Sequence, residues 1–441
     1  MTAFTTPAEA TELPRIFRKN EMGADDMGVR DTGAVSRRRA LRLAGTGLSL
    51  ALLGAGAWGC SPEDQGDQSK PDAAAPGNGK GNGDADADAF KTPPPGQAPK
   101  PLWEAAAAND GLGGTASLAV IGDLALVAGD PLVARDLVTG KEKWSRKGVT
   151  TPGAQLILGG GTLYLASAEY DGDVVGLDPA TGKETWRSRL GKKFSQPRPI
   201  AADDRHLYVF AGILEKDFTT PNNVVAAIDT TSGKVVWQEQ RDAGTEETGI
   251  TAQVAGDRLL YTDYRKNVTV RDTATGHQVW TKKIKNANFD QFAVYKGLVI
   301  VADSRKLRAL ALADGAERWT LDTGDFTSFN GPQVLDGVLY VSDQLHGMWA
   351  VTPETGKTVW HNKDLLEKAA SAWQFTKVGN TLYGATQLDD KGGVHAFDAA
   401  TGKLRWTYND KSGANQQWYL AGTGKRLAAM HAKHVYALPA V

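Results

Sequence analysis

Eight tryptophans recur along this chain at near-even intervals, most of them closing the same short phrase. An apolar strand ends in Asp, a turn of the form x-x-Thr-Gly-Lys follows, and Trp stands four residues after the Gly. The first full copy runs Val133-Ala134-Arg135-Asp136, Gly140-Lys141, Trp144, and later copies end at Trp186, Trp237, Trp280, Trp319, Trp360 and Trp406. A fixed period of about 42 residues means one supersecondary unit repeated, and a four-stranded propeller blade has about that length.

The two ends of the repeat region set the number of blades. Val435-Tyr436-Ala437-Leu438 begins a further copy with no turn and no Trp after it, whereas Lys100-Pro101-Leu102-Trp103 matches the second half alone. The halves are complementary. They predict an all-β, eight-bladed β-propeller over residues 100–441, closed by pairing an N-terminal strand at about 100–105 with the C-terminal blade. Such closure leaves no open sheet edge between first and last blades, and the atypical caps that an open solenoid requires are not visible.

Within each copy, Asp can cap the turn with its side-chain oxygen and Gly can supply the positive φ of a tight hairpin. The Thr-Gly-Lys turns are not phosphate loops, since no Gly precedes any of them at Walker spacing. Two residues before the Asp stands a small residue (Ala134, Gly176, Ala227, Ala309, Ala350, Ala396, Ala437), with Val270 the exception. That leaves room for the repeated Trp, wedged between blades. Trp103, Trp144, Trp186, Trp237, Trp280, Trp319, Trp360 and Trp406 are therefore read as docking residues of the core rather than as ligand stackers. Each can bury roughly 150–250 Å², about 4–6 kcal/mol before entropy. Two copies lack the Asp, with Ala311 and Thr352 in its place, and the third carries an insertion from Ala211 to Asn223.

The first hundred residues read as address and tether. Ser36-Arg37-Arg38-Arg39-Ala40-Leu41-Arg42 resembles the twin-arginine export motif, with Arg37 and Arg38 as its pair. An apolar, Gly-punctuated stretch from Leu43 to Trp58 follows, too short for a comfortable membrane span. It runs into Ala57-Trp58-Gly59-Cys60, which resembles a lipoprotein signal-peptidase site. Cys60 is the one cysteine of the chain and stands where a lipid would be attached. Residues 1–60 are thus a twin-arginine-like lipoprotein signal peptide. Residues 61–99, rich in Gly, Asp and Pro, form a disordered linker. Asp84-Ala85-Asp86-Ala87-Asp88 is not a calcium loop, because Ala89 stands where the turn Gly should be and Pro95 where the bidentate Glu should be. The protein is expected on the outer face of a bacterial cell membrane, held by its lipid. A formal net charge of −1 gives no electrostatic case for nucleic acid.

The phrase Ala-x-Asp-x-x-Thr-Gly-x-x-x-Trp resembles the tryptophan-docking repeat of pyrroloquinoline-quinone-type propellers, over residues 100–441. The resemblance implies eight blades and admits three kinds of function: quinone-dependent dehydrogenases, non-enzymatic envelope scaffolds, and sensor ectodomains of membrane kinases. The dehydrogenases hold calcium through Glu, Asn and a catalytic Asp, and cap the quinone with adjacent cysteines, of which this propeller has none. No Gly-x-Ser-x-Gly or His-Glu-x-x-His segment and no kinase signature is present. His431-x-x-His434 has neither a carboxylate nor a third His beside it in sequence, so no metal or catalytic residue is assigned.

Polar side chains recur at the starts of the strands expected to ring the axis. They are Gln196 and Arg198, Glu247, Asp290 and Gln291, Asn330, Gln374, and Gln416 and Gln417, joined by Trp373. These are the candidate binding residues of an axial channel. The reading is a lipid-anchored, monomeric, non-enzymatic binding or scaffold module, without cofactor, whose partner is another protein or a cell-envelope ligand. The alternatives are a dehydrogenase using pyrroloquinoline quinone and calcium without the cysteine cap, and a ligand-sensing ectodomain working with a membrane protein.

Overall fold

The computed structural model describes residues 90–108, 118–150, 155–169, 172–188, 190–191, 194–217, 222–241, 250–263, 265–324, 327–344, 347–363, 365, 371–386 and 392–441. Residues 1–89, with Arg37, Arg38, Cys60 and most of the segment expected to be a linker, lie outside them. Eight four-stranded antiparallel sheets make eight blades, spanning 118–146, 157–187, 194–240, 251–283, 287–322, 329–362, 372–408 and 418–439. The eighth has only three strands of its own. Its fourth is Trp103–Ala106, paired antiparallel with His434–Pro439 in the register Trp103↔Ala437 through Ala106↔His434. Bonds from Leu102 N to Ala437 O (2.8 Å) and from Ala107 N to Lys433 O (2.7 Å) extend that seam by a residue at each end. The predicted closure is present.

The first strands of successive blades pack against one another around the axis, and each fourth strand lies outermost. Apolar clusters fill the wedges between blades, as where Tyr208, Phe210 and Trp237 of the third blade meet Leu259 and Tyr261 of the fourth.

The repeated Trp does its docking in two steps. In each blade it sits directly across from the residue two before the Asp position, small in all but the fourth (Val270↔Trp280), as in Ala134↔Trp144 and Ala437↔Trp103. Its ring then lies on the turn Gly of the next blade. At Gly140 a Cβ would fall 2.7 Å from the Trp103 ring, and φ is +73°, so only glycine fits twice over. The indole N–H donates to the carbonyl one residue after the turn's Asp position: Trp103 to Leu137 (2.9 Å), Trp144 to Pro179 (2.8 Å), Trp237 to Thr273 (2.7 Å). Trp280, Trp319 and Trp360 repeat the bond to Leu312, Pro353 and Ala399. Only Trp237 and Trp406 are fully buried, and the other six are half-buried.

Trp186 departs from this scheme. Opposite it stands Gly176, where a Cβ would come within 3.0 Å of Trp186 Cβ, and the indole instead meets Tyr164 of its own blade edge-on at 5.3 Å. Its N–H is buried without a partner among the described residues, and the next turn glycine, Gly233, packs on the Arg187 carbonyl instead.

The turns lacking Asp keep their backbone bond, Gly315 N to Ala311 O (2.8 Å) and Gly356 N to Thr352 O (2.9 Å). The Asp therefore reinforces a turn that the glycine already specifies. Two sequence expectations need correction. The insertion at Ala211–Asn223 is strand at both ends, since His206–Ile213 and Asn222–Asp229 pair through Ile213↔Asn222, and only 214–221 connect them. Residues 90–99, read as the end of the linker, lie against the blades. Gly96 N donates to Arg405 O (3.0 Å), Phe90 lies under the Arg426 guanidinium (5.3 Å), and Ala98 joins the apolar cluster of blades seven and eight.

Candidate functional site

The strand directions sort the connections onto two unlike faces. On one face lie the turns joining first to second strands: 122–123, 160–161, 203–205, 256–257, 296–297, 336–337, 379–380 and 424–425. These are near-minimal hairpins, and Asp336-Gly337 at φ 48° and 76° shows the doubly positive geometry that two-residue loops favour. The Thr-Gly turns share this face. The opposite face carries the second-to-third connections and all blade-to-blade connections, including 107–117, 147–156, 167–173, 214–221, 241–250, 363–371, 387–393 and 409–417. Length and variety are confined to this loop face, which is where binding segments on rigid repeats are placed.

Buried carboxylates anchor the loop face. Asp263, Asp303 and Asp343 each stand at the end of a second strand, forty residues apart, and all three are buried. Asp263 accepts from Arg241 Nη2 (3.1 Å) and from the Asn267 amide (3.0 Å). Asp303 accepts from Arg308 Nε (2.7 Å) and from the Asn286 amide (3.1 Å). Asp343 accepts from Trp349 Nε1 (2.6 Å), and His361 stacks on that indole at 3.5 Å. A buried charge is tolerable only when paired, and here each pairing also ties down a loop-face turn. In the eighth blade Asp410 takes the role. His431 Nδ1 donates to it at 2.7 Å, the Tyr436 hydroxyl at 3.0 Å and the Ser412 amide at 3.0 Å, while His431 stacks on Trp418. Burial raises the Asp410 pKa, but the bonds from His431 and Ser412 outweigh it and hold the carboxyl below its ordinary value. Sequence reading missed this set, although the forty-residue spacing of Asp263, Asp303 and Asp343 carries it.

The structure separates the residues predicted for the axial channel. Asn330 is buried with its Nδ2 lacking a partner among the described residues, and Gln416 Oε1 and Gln417 Nε2 share that condition just before the eighth blade's first strand. These three remain polar groups at the loop-face end of the axis. Gln374 does not, because its Oε1 accepts from Leu420 N of the next blade at 2.9 Å, as Gln333 does from Phe375 N at 3.0 Å. Both amides bolt neighbouring first strands together. Trp373 is also structural: it is 1 % exposed, and its indole donates to the carbonyls of Thr386 and Trp418, each at 3.1 Å. Arg198 lies on the third blade's first strand opposite Phe210. Gln196, Asp290 and Gln291 lie on first strands with side chains outside the described residues, and Glu247 is outside them altogether.

These residues do not fit a calcium–quinone centre. Among the described residues no group of three or more His, Cys, Asp or Glu side chains comes together, the buried carboxylates are spent on internal partners, and Trp373 and Trp418 offer no open ring face. His431 and His434 bind different acids, Asp410 and Glu104 (2.8 Å).

Eight blades, docked by Trp on Gly and closed by an N-terminal strand, define a propeller of the pyrroloquinoline-quinone type. The chain matches the family described as outer membrane protein assembly factor BamB over residues 132–291, 221–326 and 285–419, and it belongs to that family. Among solved structures it is similar to BamB from Moraxella catarrhalis (16% identity, TM-score 0.53, covering 77% of this chain and 99% of that one). It is similar also to the quinohemoprotein alcohol dehydrogenase of Comamonas testosteroni (13%, TM-score 0.52, 77% and 76%). A computationally designed protein, Ika8, shares the fold too (14%, TM-score 0.56, 78% and 100%). At these identities the likeness is one of fold. A curated relative, the serine/threonine-protein kinase AfsK of Streptomyces griseus, is 30% identical over 147 residues, which are 31% of this chain and 18% of that protein. The chain spans less than a fifth of that kinase's length.

Proposed function

We propose that this protein is an extracytoplasmic, lipid-anchored propeller that acts as a non-enzymatic scaffold, holding a protein partner against its loop face. The observation that carries the reading is the asymmetry of the two faces. Every long connection emerges on one side, over turns pinned by Asp263, Asp303, Asp343 and Asp410, while the other side is a field of tight hairpins. The family supports it, because the matching family is described as an assembly factor for outer membrane proteins. Arg37-Arg38 and Cys60 supply the export and anchoring part. The kinase AfsK, similar over 147 residues, favours a second reading in which the propeller senses a ligand beside a membrane partner.

Two measurements on the purified protein test the proposal. Titration with pyrroloquinoline quinone and calcium should leave the quinone spectrum unchanged and should produce no dye reduction with alcohols or sugars. Cross-linking in intact envelopes should capture a protein partner at stoichiometric yield. Quinone-dependent turnover, or partner-free protein throughout the envelope, overturns it.

A further inference from the structure

Among the described residues, the loop face carries a concentration of positive charge whose segments are joined by backbone bonds. It runs across blades four and five through three connected segments. Ile284 N donates to Lys266 O (2.9 Å), Ser304 N to Asn286 O (3.1 Å), and Thr323 N to Arg305 O (3.0 Å). Asn267 pairs with Lys283, and Lys306 with Asp322. The chain of bonds therefore sets Arg265, Lys266, Lys283, Lys285, Arg305 and Lys306 side by side. Lys283, Lys285 and Arg305 are exposed, and Lys266 and Lys306 half so.

The nearby carboxylates do not neutralise this ridge. Asp263 and Asp303 are buried beneath it, committed to Arg241 and Arg308. Asp322 reaches two of the surface cations, at 3.3 Å from Arg305 and 3.5 Å from Lys306. Lys266, Lys283 and Lys285 make no ion pair with a described residue. Lys266 is also held at φ 67°, a conformation unfavourable for a side-chain-bearing residue.

We infer that this ridge is a docking site for an acidic segment of a partner protein. The inference rests on the scaffold reading above and names the chemistry its partner must carry. An anionic bilayer is the wrong occupant, because Phe90 and Gly96 enter the propeller beside Arg426 and Arg405 on the tight-turn face. A bilayer holding Cys60 would approach from that side. A long polyanion is disfavoured as well, since it gains from an extended positive field and the chain as a whole carries a net charge of −1. A short run of Glu or Asp matches a ridge two blades wide, and lysines on fixed backbone give such contacts speed of association and strong salt dependence.

Fluorescence anisotropy with labelled octaglutamate tests this on the intact chain. The peptide should bind, and raising the salt severalfold should weaken it steeply. The triple change Lys266→Glu, Lys283→Glu and Lys285→Glu should lower affinity at least about tenfold. The same charge change on the tight-turn face, Lys141→Glu, Lys183→Glu and Lys357→Glu, should leave binding within about twofold, with equal melting temperatures for both triples. Equal loss in the two triples, no peptide binding to the parent, or tighter ridge-dependent binding of polyphosphate or phosphatidylglycerol vesicles overturns the inference. A photo-cross-linker at Lys433, elsewhere on the loop face, separates the two claims. Partner capture there alongside a failed ridge leaves the scaffold reading standing.

Discussion

Replacing Trp103 by Ala tests ring closure at its weakest covalent point. Trp103 is the one docking tryptophan supplied from outside the repeats, and its strand is joined to the eighth blade by non-covalent contacts alone. The half-buried indole removes roughly 100 Å² of apolar surface from water, about 2.5 kcal/mol at ~25 cal/mol/Å². The bond from its Nε1 to Leu137 O contributes about 1 kcal/mol more, and truncation also opens a void over Gly140. The sum is a loss of about 3–4 kcal/mol, within the range of large-to-small core changes. Urea unfolding followed by tryptophan fluorescence and by far-ultraviolet circular dichroism should show the midpoint fall. A chain beginning at residue 108, lacking the whole strand, should go further and aggregate through the exposed edge of His434–Pro439. A Trp103→Ala loss below about 0.5 kcal/mol would refute the shared eighth blade as a source of stability, because Trp103 reaches Leu137 and Gly140 of the first blade from a strand seated on the eighth.

Three further outcomes follow from individual contacts. Trp144→Phe should cost about 1 kcal/mol more than Trp186→Phe in urea unfolding, since Trp144 gives up a bond to Pro179 O whereas Trp186 gives up only an unpartnered buried donor. In acid the protein should lose stability. Asp136 is raised by burial but lowered further, from 3.8 to about 2, by bonds from Lys143 and Thr139. Hydrogen bonds first from Thr181, Ser232, Thr275 and Arg405 hold Asp178, Asp229, Asp272 and Asp398 down as well. A depressed carboxyl stabilises fully above its unfolded value and loses that contribution as pH falls through the folded one, so melting temperature should drop from pH 4 to pH 2. Asp136→Asn should flatten part of that slope, and an unchanged slope would discount the turn carboxylates. Finally, Cys60→Ser should release the protein from washed membranes, and retention would replace the lipid by an uncleaved apolar anchor.

The fold was legible because the repeat writes one physical solution many times over. Gly140 and its equivalents answer a positive φ and a ring pressed on them, and Ala134 and its equivalents leave space across the strand pair for the indole. A pattern in a single copy would have been weak, and periodicity made it decisive. Reading failed where one copy departs from the pattern. Gly176 looked like another small residue, yet opposite it Trp186 meets Tyr164 edge-on, and the next turn glycine, Gly233, packs on the Arg187 carbonyl rather than on an indole. The axial residues were legible as positions but not as roles. Whether an amide faces the channel or bridges to the next blade, as Gln374 does to Leu420, depends on bulges such as the one between Ala372 and Gln374 that composition does not show. The basic ridge was hidden for a different reason. Its lysines are scattered in sequence among acids such as Asp263 and Asp303, and only burial reveals that those acids are committed below the surface.

The central claim is that the loop face meets a protein partner and the tight-turn face does not. It is tested most directly by placing a photo-activatable side chain at Lys285 or Lys433 on one face, and at Asp314 or Lys357 on the other, in otherwise unaltered protein in intact envelopes. The account predicts a discrete cross-linked partner from Lys285 and Lys433 and none from Asp314 and Lys357. Equal capture from both faces, or capture from the tight-turn positions alone, would contradict it.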